Sequence, residues 1–186
     1  AQEKINSKIT GDKLLDPELA EEGVGVLHIR SVYDIDGVDT AMPNIATLVN
    51  PAQTTSADLR PARFLRIVKA VSIPDRDTYN FRGTAFGRST QQGMREIISY
   101  TPIEPDGSVM VKVPANVALA ISVLDKNGRR IGARHQNWLQ VRPGETVECN
   151  GCHDPNSGVS HGRSDAFLVV NQGASTSGLP FTNSDP

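Results

Sequence analysis

Pro105-Asp106-Gly107-Ser108-Val109-Met110-Val111-Lys112-Val113-Pro114-Ala115-Asn116 sets the fold class of this chain. Pro-Asp-Gly is a turn, because proline presets φ and glycine accepts the left-handed backbone that follows. Val109, Val111 and Val113 then alternate with Met110 and Lys112, the period-two pattern of a strand with one buried face. Pro114-Ala115-Asn116 closes it, so the stretch reads as a hairpin-like unit. Outward from it, Val117 to Leu124 reads as a buried-type strand ended by the turn Asp125-Lys126-Asn127-Gly128. Val24 to Tyr33 and Phe64 to Val71 are further strands, and Trp138 to Val141 a last short one. Short strands at such turn spacing predict a mainly β, β-sandwich-like domain with little helix. Asp16-Pro17-Glu18-Leu19-Ala20-Glu21-Glu22 is a helix candidate with Asp16 as N-cap, and Ala57 to Arg63 and Gln91 to Ile97 are others. The expected organisation is an N-terminal extension over 1–23, a β-rich domain over 24–170 and an irregular tail over 171–186.

Cys149-Asn150-Gly151-Cys152-His153 carries the chemistry. C-x-x-C-H is the attachment signature of a c-type haem. Two thiols add across the porphyrin vinyl groups, and the adjacent imidazole takes the iron. Two intervening residues let both sulfurs reach one macrocycle edge. The motif also uses the only two cysteines of the chain. Rival readings remain. A thioredoxin-like pair wants an alternating α/β context, which is lacking here. A zinc site wants four ligands, and a Cys149–Cys152 disulfide leaves His153 without a role.

A chain of 186 residues with formal net charge −2 suits one modest domain and has no basic footprint for nucleic acid. No apolar run approaches the ~20 residues of a membrane-spanning helix. Ala1-Gln2-Glu3-Lys4 opens without an export signal. Because covalent haem attachment takes place outside the cytoplasm, the sequence is expected to be a piece of a longer exported protein, periplasmic or extracellular.

Pro105-Asp106-Gly107-Ser108, Val113-Pro114-Ala115-Asn116, Leu124-Asp125, His135-Gln136-Asn137-Trp138, Val141-Arg142-Pro143-Gly144-Glu145, Cys149 to His153 and His161-Gly162-Arg163 together resemble one family. It is the haem-bearing domain related to the middle region of the hydrazine synthase alpha subunit, spanning about residues 24 to 186 here. Similar domains occur in large exported bacterial multi-haem proteins, some with carbohydrate-binding modules. The resemblance implies a β-rich domain with its haem in the C-terminal loops and a redox role. It does not carry over hydrazine chemistry.

The sixth iron ligand is expected to be His161, eight residues beyond His153 and bracketed by Gly158 and Gly162. His135, Met42, Met94 and Met110 compete for the position, while His28 in mid-strand reads as a structural histidine. Arg163 and Arg142 are candidates for the haem propionates. Trp138 reads as core or as a porphyrin contact. Asp34, Asp36 and Asp39 around Gly37 are a weak calcium candidate without the downstream glutamate of an EF-hand loop. No Ser/His/Asp set, phosphate loop or H-E-x-x-H is present. The expected function is a mono-haem electron-transfer domain serving a redox protein or a neighbouring haem domain. The alternative is a haem enzyme or small-ligand sensor with an open distal iron.

Overall fold

The computed structural model describes residues 15–49, 59–80, 94–132, 135 and 137–154. Their order is α1 (Pro17–Glu21), β1 (Val24–Ile29), β2 (Asp34–Ile35), β3 (Val38–Asp39), α2 (Ile45–Val49), β4 (Phe64–Val71), β5 (Met94–Pro102), β6 (Val109–Pro114), β7 (Leu119–Leu124) and β8 (Thr146–Cys149). The fold is mainly β, as expected. Three-stranded sheets run β6-β1-β8 and β5-β4-β7, with β2-β3 as a small third pair.

The inward residues of both large sheets meet in one core. Leu27 and Ile29 of β1, Val109, Val111 and Val113 of β6, Leu65 and Ile67 of β4 and Leu119 of β7 belong to the same buried cluster. Alternation explains the membership: along β6 the three valines are buried and Met110 and Lys112 are less so. Burying each such side chain contributes about 1.5–3 kcal/mol relative to exposure.

The pairing differs from the local reading in one decisive respect. β6 and β7 do not form a hairpin; β6 pairs antiparallel with β1, and β7 pairs antiparallel with β4. Asn116 has φ 58, and its N–H donates to the Val141 carbonyl at 2.8 Å. The chain thus swings from one sheet to the other at Pro114-Ala115-Asn116 rather than doubling back. The leading turn packs against the opposite strand end. Gly107 has φ +85, and a Cβ there would lie 2.6 Å from the Tyr33 ring, so this corner needs glycine.

Other expectations met mixed outcomes. Asp16 caps α1, accepting from the Glu18 and Leu19 amides at 2.9 and 3.2 Å. Its own N–H donates to Gly144, tying this helix to the body. Gln91 to Ile97 is not a helix where it is described: from Met94 it is β5, paired with β4 through a register shift between Ile67 and Val68. Trp138 to Val141 contributes a single bridge, Leu139 to Leu119, in place of a strand. No described helix is long and apolar enough to cross a membrane.

Candidate functional site

β8 lies parallel to β1, with Ile29 opposite Cys149. This pairing puts Cys149 on the same sheet face as Ile29 and Val147, toward the core, and it packs against the buried cluster. The adjacency continues past the strand ends. Arg30 N–H donates to Cys149 O at 2.9 Å and Ser31 N–H to Asn150 O at 3.2 Å. Cys152 N–H donates to Asp34 O at 2.8 Å, and Asp36 N–H to Cys152 O at 3.0 Å. The Asp154 amide reaches the Asp36 carboxylate at 3.0 Å. The C-x-x-C-H segment is therefore strapped along residues 30–36 by four backbone hydrogen bonds and one side-chain bond.

Gly151 allows the strap to close. A Cβ there would overlap the Asp34 carbonyl oxygen, stand 2.6 Å from the Asp34 Cβ and 2.9 Å from the Ser31 carbonyl oxygen. Two of those three atoms are backbone, so the contact cannot be relieved by a rotamer change.

Both cysteines are free thiols, half-buried. Burial, then Cys149 and Asp34, pushes the Cys152 thiol up to about 12; burial and then Glu148 raises Cys149. A thioredoxin-type pair lowers its thiol pKa at a helix N-terminus, whereas this pair follows a strand and is shifted the opposite way. Among the described residues no group of three or more His, Cys, Asp or Glu side chains is gathered as a metal cage.

The imidazole of His153 does not stand alone. The His135 ring lies with its centre 6.5 Å from that of His153, the two planes at 79°. His135 comes from a segment that folds back along β7. Ile131 N–H donates to Val123 O, while Leu119 and Leu139 exchange both backbone bonds at 2.8 Å. His135 sits between these two anchors, four residues from each.

The remaining candidates fall elsewhere. His28 pairs with Glu148 and Met110 across the sheet, on the face opposite Leu27, Ile29 and Cys149. Its buried Nε2 has no hydrogen-bond partner among the described residues, so it is not the satisfied histidine that was expected. Met110 shares that outer face, and Met42 is 76% exposed. Arg142 gives its guanidinium to Glu145, Nε to Oε2 and Nη2 to Oε1 both at 3.3 Å, rather than standing ready for a propionate. Trp138 is 40% exposed with the Arg95 guanidinium 4.8 Å from its ring centre, so it is not core. Asp39 spends its carboxylate on the Ala41 and Ile45 amides, and Asp34 accepts from Gly37. These bonds give Asp39 and one oxygen of Asp34 turn and cap roles, while the Asp36 carboxylate holds the Asp154 amide. His161 and Arg163 lie outside the described residues.

A cofactor with two vinyl carbons and an axial metal position fits this donor set. Two neutral thiols stand three residues apart, Cys149 at the end of β8 and Cys152 just beyond it, both packed against the core; an imidazole follows them, and a second imidazole approaches from the other sheet.

No curated protein sequence matches the chain. Among solved structures, Kuenenia stuttgartiensis hydrazine synthase is similar in fold, with TM-score 0.50 and 18% sequence identity. The likeness covers 78% of this chain and 20% of that one, so the described fold corresponds to about a fifth of that chain's length. A family model for the hydrazine synthase alpha subunit middle domain matches residues 61–154, which takes in His135 and the whole C-x-x-C-H segment. The chain belongs to the hydrazine synthase alpha subunit middle-domain family.

Proposed function

We propose that this domain holds one covalent haem c and transfers electrons as a module of a larger exported redox protein. The observation that supports the reading is the strapped segment itself. Cys149 ends β8 and Cys152 follows in a segment whose backbone is bonded to residues 30–36, with His153 directly after the second thiol. When bound, haem c supplies a one-electron iron couple.

The protein's own part is positional and dielectric. Cys149 and Cys152 serve as thioether anchors, and His153 as the iron ligand fixed by attachment. The core packed behind both sulfurs keeps water from the attachment edge, and a dry surround is one of the levers that set a haem potential. Arg163 is proposed as a propionate partner on sequence grounds, and the sequence offers His135 and His161 for the second ligand position. Electron transfer to a redox protein or neighbouring haem domain follows from a role as one module among several; carbohydrate-binding modules elsewhere in the full-length protein belong to the same reading. The second reading, a haem enzyme or sensor with an open iron, is favoured only if the ferrous protein binds carbon monoxide.

The test is expression with and without export to the periplasm. Exported protein should keep its haem through denaturing gel electrophoresis and gain about one haem mass, while the cytoplasmic form should not. Cys149→Ala and Cys152→Ala should each sharply lower covalent loading. A pigment that acid–acetone extracts from the exported protein would sink the reading.

A further inference from the structure

The geometry points to His135, not His161, as the second imidazole on the iron held by His153. This inference rests on the haem reading above and deepens it. A metal–imidazole bond is about 2 Å long, with roughly 1 Å more to the ring centre, so two imidazoles on opposite sides of one ion have centres about 6 Å apart. The His135 and His153 rings are 6.5 Å apart.

Three further observations converge on the same residue. His135 is carried by the β5-β4-β7 sheet, through bonds to Val123 and Leu119, whereas His153 is carried by the β6-β1-β8 sheet. The two imidazoles therefore come from separate supports, an arrangement that suits ligands on opposite faces of one flat group. Each support is fixed close by, at Ile131 and Leu139 on one side and at Cys152 on the other. Of the described competitors, His28 and Met110 occupy the sheet face opposite Cys149, Met42 is exposed, and Met94 begins β5 in register with Val71.

An edge-to-face ring pair has the same range of separations, about 4.5–7 Å between centres. The two roles part company on substitution. Phenylalanine at 135 preserves a ring contact with His153 but cannot bind iron; methionine can bind iron but offers no ring.

The experiment uses the exported, haem-loaded protein, with covalent haem on a denaturing gel scored separately from the axial ligands. Wild type should give a low-spin ferric spectrum and a ferrous form that ignores carbon monoxide. His135→Phe should keep full covalent loading while turning high-spin and binding carbon monoxide. His135→Met should stay low-spin with a raised reduction potential, because a thioether ligand favours the ferrous state relative to imidazole. His161→Ala should leave the spectrum unchanged.

A low-spin His135→Phe protein overturns the assignment, and if His161→Ala is then high-spin the ligand is His161. A wild-type protein that is high-spin and binds carbon monoxide also overturns it, while covalent haem on the gel leaves the haem reading standing. Wild-type protein without covalent haem overturns both.

Discussion

The two histidines that approach each other are carried by segments built on opposite plans. His153 ends a segment stitched residue by residue to a partner distant in sequence, through the amides of Arg30, Ser31, Cys152 and Asp36. His135 belongs to a segment pinned at both ends to its own neighbouring strand, at Ile131–Val123 and Leu139–Leu119. The first plan ties the backbone of the C-x-x-C-H segment to residues 30–36 at several successive points. The second fixes where a loop begins and ends. One arm is thus bonded along its length to a distant segment, and the other is anchored at Ile131 and Leu139 on either side of His135.

The strap should be the more costly arm to disturb. Gly151→Val forces a branched side chain into the Asp34 and Ser31 backbone. Overpacking of this kind costs about 3 kcal/mol, which for a domain of this size lowers Tm by roughly 10 °C. Covalent haem loading should fall with it. Thermal denaturation of the exported variant checks the first effect and haem-stained gels the second; an unchanged Tm would mean that the strap is not tight.

The loop arm should respond less. Asp125 accepts from the Asn127 and Arg129 amides, both at 2.8 Å, and so shapes the turn that launches the His135 segment. Asp125→Ala should cost about 1 kcal/mol, the usual worth of such a bond. Loading should survive, because the thiols are on the other arm. A urea melt measured beside a haem stain separates the two arms, and a loss of loading equal to that of Gly151→Val would erase the contrast between them.

The smallest effect is expected between the arms. Arg142 and Glu145 form a partly exposed ion pair ahead of β8. Arg142→Ala should cost less than about 1 kcal/mol, as surface pairs generally do, with no change in visible spectrum. A shifted spectrum or potential would restore Arg142 as a propionate partner and blur the boundary between support and site.

The contrast also marks how far the residues could be read directly. β4 and β6 were legible because alternation encodes one buried face, and α1 because Asp16 and Pro17 occupy cap and first-turn positions. The C-x-x-C-H spacing is visible in the residues themselves, and covalent attachment there is the use proposed for it. The β1–β8 pairing was not, since nothing local in Val26-Leu27-His28-Ile29 names Thr146-Val147-Glu148-Cys149 as its neighbour. Met94-Arg95-Glu96 reads as helix by propensity, yet partners in β4 override a weak local preference. α2 carried a missed signal: Asn44 Oδ1 accepts from the Thr47 amide and hydroxyl at 2.9 and 2.7 Å, a cap placed just after a proline. The approach of His135 to His153 needs two sheets and a crossover at Asn116, and no window of sequence contains all three.

Pairing Ile29 with Cys149 has a consequence in time. Joining residues from nearly opposite ends of the described body demands closure of a long stretch of chain, which comes late relative to local turns and antiparallel neighbours. Once β8 docks, both sulfurs rest against the core. Before it docks they are reachable, which is when the proposed attachment of haem would take place. If haem is attached as proposed, folding and modification of this domain compete in time, and the slowness of one parallel pairing keeps the sulfurs reachable for longer.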